Sequence, residues 1–329
     1  MSARELSSDE IDALVDEALE LLDTEEPEQA LELGRRLEAL NYSRSFEIQG
    51  LALQNMDKNL EAIGVLRRGI ECVPDDWRLR QLYGNCLSDD EQYDEALNAY
   101  DAALGLPDAD RVWVQYNRSI LFWRMEDLDK ANATLVKVLG DAEFSAAVPE
   151  LQANIRAARL GLLNELGRAE EAVEFFETLP DLDEWSAPLA EVARLDAKYA
   201  IALWNDARID DAHKALARAI RQDKTNSDAQ WLKRKMLARD LPGGTCSFDL
   251  RIRGPWRADA FPGTDPAGGF HTEYRVVAEN PAHALNFVRE FEPPQIRHAL
   301  EIEEVVENGR CDDPKGVYWT SAYHFYPEE

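Results

Sequence analysis

Residues 84–103 read Gly84-Asn-Cys-Leu-Ser-Asp-Asp-Glu-Gln-Tyr93-Asp-Glu-Ala96-Leu-Asn-Ala-Tyr100-Asp-Ala-Ala103. A small residue, Gly84, is followed twelve positions later by Ala96, and Tyr100 stands four further on. The same set occurs 34 positions earlier as Gly50, Ala62 and Leu66. Self-similarity at such a period marks a stack of supersecondary units, none of which can bury its apolar face alone.

Aligning on the central alanine gives six units, at Ala30, Ala62, Ala96, Ala131, Ala172 and Ala212. The spacings are 32, 34, 35, 41 and 40, so the later units carry insertions. Each unit reads as two helices joined by a polar turn. The second helix opens with acidic residues, which favour the positive end of its dipole. Examples are Ala169-Glu-Glu-Ala172 and Ile209-Asp-Asp-Ala212. Where two helices cross closely only a small residue fits, so Gly50, Gly84, Ser119 and Ala200 are expected to face the central alanines. Pro74 and Pro107 lie near unit ends, and Ser7 with Glu10 forms a candidate capping box. Residues 141–149 form an extra linker. Residues 227–239 read as a final capping helix whose basic face (Lys233, Arg234, Lys235, Arg239) is the polar end such a stack needs.

This pattern resembles the tetratricopeptide repeat (TPR) family over residues 8–225, most closely in 43–140. The resemblance implies a right-handed α-solenoid of about six helix hairpins, with ligands held on a concave groove lined by first helices. On that mapping the partner-binding candidates are Arg44, Arg78, Gln81, Asn85, Trp113, Tyr116, Asn117, Trp123, Arg124, Asn154, Arg156, Arg194 and Trp204, together with Glu47, Asn55 and Ser88. Amides pair with an extended backbone, arginine meets carboxylates and aromatics anchor side chains. Asn85, Asn117 and Arg156 match positions of the carboxylate clamp of chaperone-binding members. Gln81 and Gln152 stand where that clamp carries lysines, which removes two charges from it.

The helical pattern breaks at Leu241-Pro-Gly-Gly-Thr245. Phe248, Leu250 and Ile252 then alternate with charges, as in a half-buried strand. Further strands are expected at 270–278, 300–307 and 317–326. Asn280-Pro281 opens a helix running to Phe291, with asparagine as N-cap and proline at the first helical position. The expectation is mainly α: a helical-repeat domain over 1–240 and a small α+β domain over 241–329, ordered β-β-α-β-β, with a ferredoxin-like arrangement as one candidate.

The chain has 329 residues, 45% of them apolar, and a formal charge of −28. Residues 1–240 contribute −21 and residues 241–329 contribute −7, so the acidity is general. Such a field repels phosphate backbones and anionic membranes, which argues against nucleic-acid or membrane partners. It fits a solubilising surface or a basic partner. Cys72, Cys86, Cys246 and Cys311 show no close pairing, no stretch is apolar enough to span a membrane, and no secretory leader is read, so the chain is expected to be cytoplasmic. His271, His283, His298 and His324 are scattered without metal-ligand spacing, and Gly263 to Gly269 lacks the lysine of a phosphate cradle. No cofactor, metal or catalytic residue is expected. The leading function is a non-catalytic protein–protein interaction scaffold. The alternatives are an acidic neutraliser of a basic protein, of the immunity or antitoxin type, and an enzyme with its site in the C-terminal domain. The partner's identity and the oligomeric state are not fixed by these residues.

Overall fold

The computed structural model describes residues 8–24, 26–180, 187–237, 245–264 and 268–327. Ser7 and Arg239, and with them the expected capping box, lie outside the described residues, as does most of the break at 241–245. The chain divides into two compact units, Met1–Ala147 and Val148–Glu329.

The first unit holds four hairpins: α1 (Ser8–Asp23) with α2 (Pro27–Ala39), α3 (Ser45–Asn55) with α4 (Asn59–Cys72), α5 (Trp77–Asp89) with α6 (Tyr93–Leu104), and α7 (Arg111–Arg124) with α8 (Leu128–Leu139). A short 3₁₀ turn, Phe144–Ala146, occupies the expected linker. The second unit continues with α9 (Pro149–Glu165) and α10 (Ala169–Glu177), then α11 (Leu189–Asn205) and α12 (Ile209–Gln222), then α13 (Ser227–Leu237). All six central alanines are fully buried.

Five hairpins turn in the same way. Asp57, Glu91, Glu126, Gly167 and Ala207 each stand five positions before the central alanine, and each has φ between 56° and 70°. The next residue then donates its N–H back across the turn, as in Lys58 to Leu53 O (2.9 Å), Gln92 to Leu87 O (2.8 Å) and Arg208 to Leu203 O (2.9 Å). This is the left-handed C-terminal cap that satisfies the last carbonyls of a helix. Glycine adopts it freely, whereas a side chain there is strained.

The small residues face bulkier partners than expected. A Cβ on Gly84 would meet Tyr100 Cε1 at 2.7 Å, and one on Gly50 would meet Leu66 Cδ2 at 2.7 Å. The glycines therefore make room for the large residue four positions after the alanine, and not for the alanine itself. A fully buried Tyr100 is the result, its phenol raised well above its ordinary pKa by burial.

The α-to-β change falls inside the second unit. Strands β1 (Thr245–Pro255), β2 (Gly269–Ala278), β3 (Glu301–Cys311), β4 (Gly316–Thr320) and β5 (His324–Tyr326) form one sheet in the order β3-β1-β2-β4, with β5 also paired to β2. All pairings are antiparallel. The helix α14 (Pro281–Phe291) is capped by Asn280, whose Oδ1 accepts from His283 N at 2.9 Å. The order differs from a ferredoxin-like sheet. β1 and β2 are hairpin neighbours across a Gly/Pro-rich loop, and a single helix precedes β3. Residues 321–323 interrupt the expected last strand, leaving β4 and β5 along successive parts of β2.

A buried ion pair joins the last hairpin to the sheet. Lys224, in the turn after α12, is buried, as is Glu292 just after α14. Lys224 Nζ donates to Glu292 Oε1 (3.1 Å) and to Thr272 Oγ1 (2.7 Å). The Tyr323 hydroxyl donates to Glu292 Oε2 at 2.6 Å, and Tyr274 donates to the other oxygen. The ammonium also lies 3.6 Å from the Tyr323 ring centroid. Every group in the cluster has partners, which is what keeps a buried charge pair tolerable. The expected basic face of α13 is likewise occupied. Arg234 donates to Val317 O at 2.8 Å and stacks on Tyr318, and Lys233 is 3.9 Å from Glu290. The helix docks Arg234 and Lys233 on the sheet domain, while Lys235 stays exposed.

Candidate binding surfaces

In the first unit the candidate residues fall on α3, α5 and α7. Arg78 is exposed, with its guanidinium 5.0 Å from the Trp77 ring. Trp113 is 39% exposed at the start of α7, where its N–H is held by Asp110. Tyr116, Asn117 and Trp123 are half-buried. A polar ladder runs across the three helices. Gln54 Nε2 donates to Asp89 Oδ2 at 2.8 Å, and Arg124 donates to Ser88 Oγ at 2.9 Å and to Asp89 Oδ1 at 2.5 Å. Arg44 is held by Glu47 at 2.9 Å, and this hydrogen bond raises its pKa.

Three sequence candidates change role. Gln81 is only 6% exposed, because α5 packs on α3, α4, α6 and α7 and is buried around most of its circumference. Ser88 is buried beneath Arg124. Asn85 accepts a hydrogen bond from Tyr100 Oη at 2.8 Å and so braces the hairpin. Of the clamp positions in this unit, Gln81 and Asn85 are thus engaged in packing, while Asn117 is half-buried.

In the second unit Arg194 donates to Asn154 Oδ1 (2.5 Å) and pairs with Glu191 (3.2 Å), which fixes α11 to α9. Arg156 donates to Gln152 Oε1 at 3.2 Å, and burial lowers its pKa. Trp204 is half-buried. A cavity of about 570 Å³ lies between α9, α11 and α13, and Trp204 is not part of its lining. Gly161, Asn164 and Glu165 of α9 and Lys198, Ile201 and Asn205 of α11 form one wall. Gln230, Trp231 and Arg234 of α13 and Tyr318 of β4 form the other. Lys198 Nζ reaches Asp228 Oδ2 at 3.0 Å, and Asn164 Nδ2 donates to Lys198 O at 3.0 Å. Asn164 Oδ1 is buried without a hydrogen-bond partner. Trp231 is 39% exposed. The cavity thus offers amides, an aromatic plane and a pre-formed ion pair, the groups that take a polypeptide backbone and its side chains.

Sequence reasoning named none of Asn164, Lys198, Asn205 and Trp231 as binding residues. The spacing held a usable signal. Asn164 and Glu165 precede their central alanine by eight and seven positions, as Gln54 and Asn55, Ser88 and Asp89, and Trp204 and Asn205 precede theirs. Trp231 had no such signal, because α13 has no partner helix to set a repeat register.

His271 stacks on Tyr326 with centroids 4.6 Å apart, and its Nδ1 is 2.9 Å from Glu303. His283 stacks on Phe287. Among the described residues no three His, Cys, Asp or Glu side chains group as a metal site, and no helix is long and apolar enough to cross a membrane.

No protein-family model matches the chain, and no curated protein matches it in sequence. Solved structures do. The chain is similar to PilW, a widely conserved type IV pilus biogenesis factor, with a TM-score of 0.51 and 17% identity over 68% of this chain and 97% of that one. It is similar to a tetratricopeptide repeat protein from Parabacteroides merdae, with a TM-score of 0.50 and 16% identity over 69% and 85% of the two chains. It is also similar to the Cut9–Hcn1 assembly of the APC/C, with a TM-score of 0.52 and 13% identity, spanning 67% of this chain and 42% of that one. At these identities the likeness is one of fold, and the fold is that of TPR-like helix hairpins with a small antiparallel sheet appended.

Proposed function

We propose that the chain is a non-catalytic protein–protein interaction scaffold, and that the cavity between α9, α11 and α13 holds an extended segment of a partner. The observation that carries this is the lining. Three amide side chains, a half-exposed tryptophan and one ion pair converge on about 570 Å³. Trp231 supplies the apolar anchor, with Lys235 5.5 Å away on its ring. The wall of the first unit, with Trp113 and Arg78 exposed, is a second contact surface of the same kind. Such a partner has a peptide backbone and needs no basic character at this site.

The test is quantitative affinity capture from the native proteome with the intact chain and with the variants Trp231→Ala and Asn205→Arg. The reading expects one shared partner whose recovery falls at least tenfold in both variants while far-UV circular dichroism is unchanged. Equal recovery with all three proteins would defeat it.

A further inference from the structure

The sheet leaves one long strand uncovered. β3 is the edge of the order β3-β1-β2-β4, and among the described residues it pairs only with β1. α14 packs on β2 and β4. Beyond that cover, Val305 is 46% exposed and Val306 is 58% exposed. An edge strand presents a row of unpaired N–H and C=O groups, ready to accept another strand.

The register assigns each side chain to a face. Val305 stands opposite Leu250 and Glu307 opposite Phe248, on the side of the apolar core. Glu304 stands opposite Arg251 and Val306 opposite Asp249, on the other side. Each face of the free edge therefore offers one valine and one glutamate. Along the strand they read Glu304-Val305-Val306-Glu307.

The strand EIEEVVENGRC carries four glutamates and one arginine. Glu301 is engaged by Arg253, and Glu303 by Arg251 and His271. Glu304 has no ion partner among the described residues. The acidic pair favours an opposite charge on whatever strand is added here.

We infer that the β3 edge is a strand-addition site for a partner segment with the pattern basic–apolar–apolar–basic. Backbone hydrogen bonds supply the affinity in such an addition, and alternate side chains supply the choice of partner. A lysine or arginine meets each of Glu304 and Glu307, and an apolar side chain covers each valine. This surface is separate from the cavity, so either assignment stands without the other.

The probe is a fluorescein-labelled octapeptide with Lys-Val-Val-Lys at its centre, titrated against the full chain by anisotropy. Its isomer, with Val-Lys-Lys-Val at the centre, has the same charge and composition. The inference expects the first peptide to bind about tenfold more tightly, with slowed amide exchange confined to β3. The double variant Glu304→Lys, Glu307→Lys should lose that preference and bind a Glu-Val-Val-Glu peptide instead. Both substitutions fall on an exposed strand, and a circular dichroism melt checks that the sheet survives. Equal affinity for the two isomers would overturn the inference, as would binding without protection of the β3 amides.

Discussion

Single atoms set the terms of this fold at two places. The first is Gly84, where an added methyl group would sit 2.7 Å from the Tyr100 ring. Gly84→Ala should cost about 1–3 kcal/mol by overpacking a hairpin that cannot give, measured by urea denaturation. An unchanged midpoint would mean that the ring relaxes freely. The second is Lys224. Burial pushes its ammonium down to about 8 from an ordinary 10.5. Between those values the unfolded chain binds more protons than the native one, so stability rises with pH over that window. From pH 8 to 10 the free energy of unfolding should climb by roughly 1 kcal/mol per unit relative to Lys224→Met. Below pH 8 both states hold the proton and the slope vanishes. At neutral pH the same variant leaves Glu292 buried and uncompensated, which costs about 3–5 kcal/mol. Parallel pH profiles for the two proteins would contradict the assignment.

At the scale of the element, the hairpin turn is the unit of repetition. Ala207 takes φ 60° at the position where another hairpin has Gly167 at φ 70°. It is exposed, so nothing but backbone strain opposes exchange. Ala207→Gly should stabilise by about 0.5–1 kcal/mol and Gly167→Ala should destabilise by about 1 kcal/mol. Thermal melts of the pair should move in opposite directions, and melts moving the same way would refute the shared turn. Helices were legible in the sequence because their apolar residues recur with the hairpin period, so the six alanines located every unit. The turn itself was hidden, since Asp57, Glu91, Glu126, Gly167 and Ala207 share a conformation but no chemistry. Strands were legible where alternation was clean, as in Phe248, Leu250 and Ile252. Their order was not, because it depends on which edges pair, and β1 next to β3 leaves no local trace.

At the scale of the molecule, the division of the chain was the least readable feature. Composition changes at 241–245, yet the compact units meet at 147–148. The Lys224–Glu292 pair and the Arg234–Tyr318 stack, made between residues 68 and 84 positions apart, tie the end of the helical run to the sheet. Cutting after residue 240 strands Lys224 without Glu292. A fragment 148–329 should therefore melt as one cooperative transition, whereas 1–240 should lose helix from its C-terminal end at lower temperature. Equal melting of α11 to α13 in 1–240 and in the whole chain would refute this. The candidate site followed the same rule. Arg78 and Trp113 were found exposed where the repeat mapping put them, while Gln81 and Ser88 turned inward because packing on several neighbours buries most of the circumference of α5. The cavity escaped notice since half its lining comes from α13 and β4, outside any repeat.

The most direct measurement places a photo-reactive phenylalanine analogue at Asn205 of the intact chain and identifies what it joins on illumination in native cells. A scaffold that holds a polypeptide beside Trp231 predicts a crosslink to one other protein, mapped to a short contiguous segment and lost in Trp231→Ala. A crosslink only to this chain's own residues, or none at all, would contradict it.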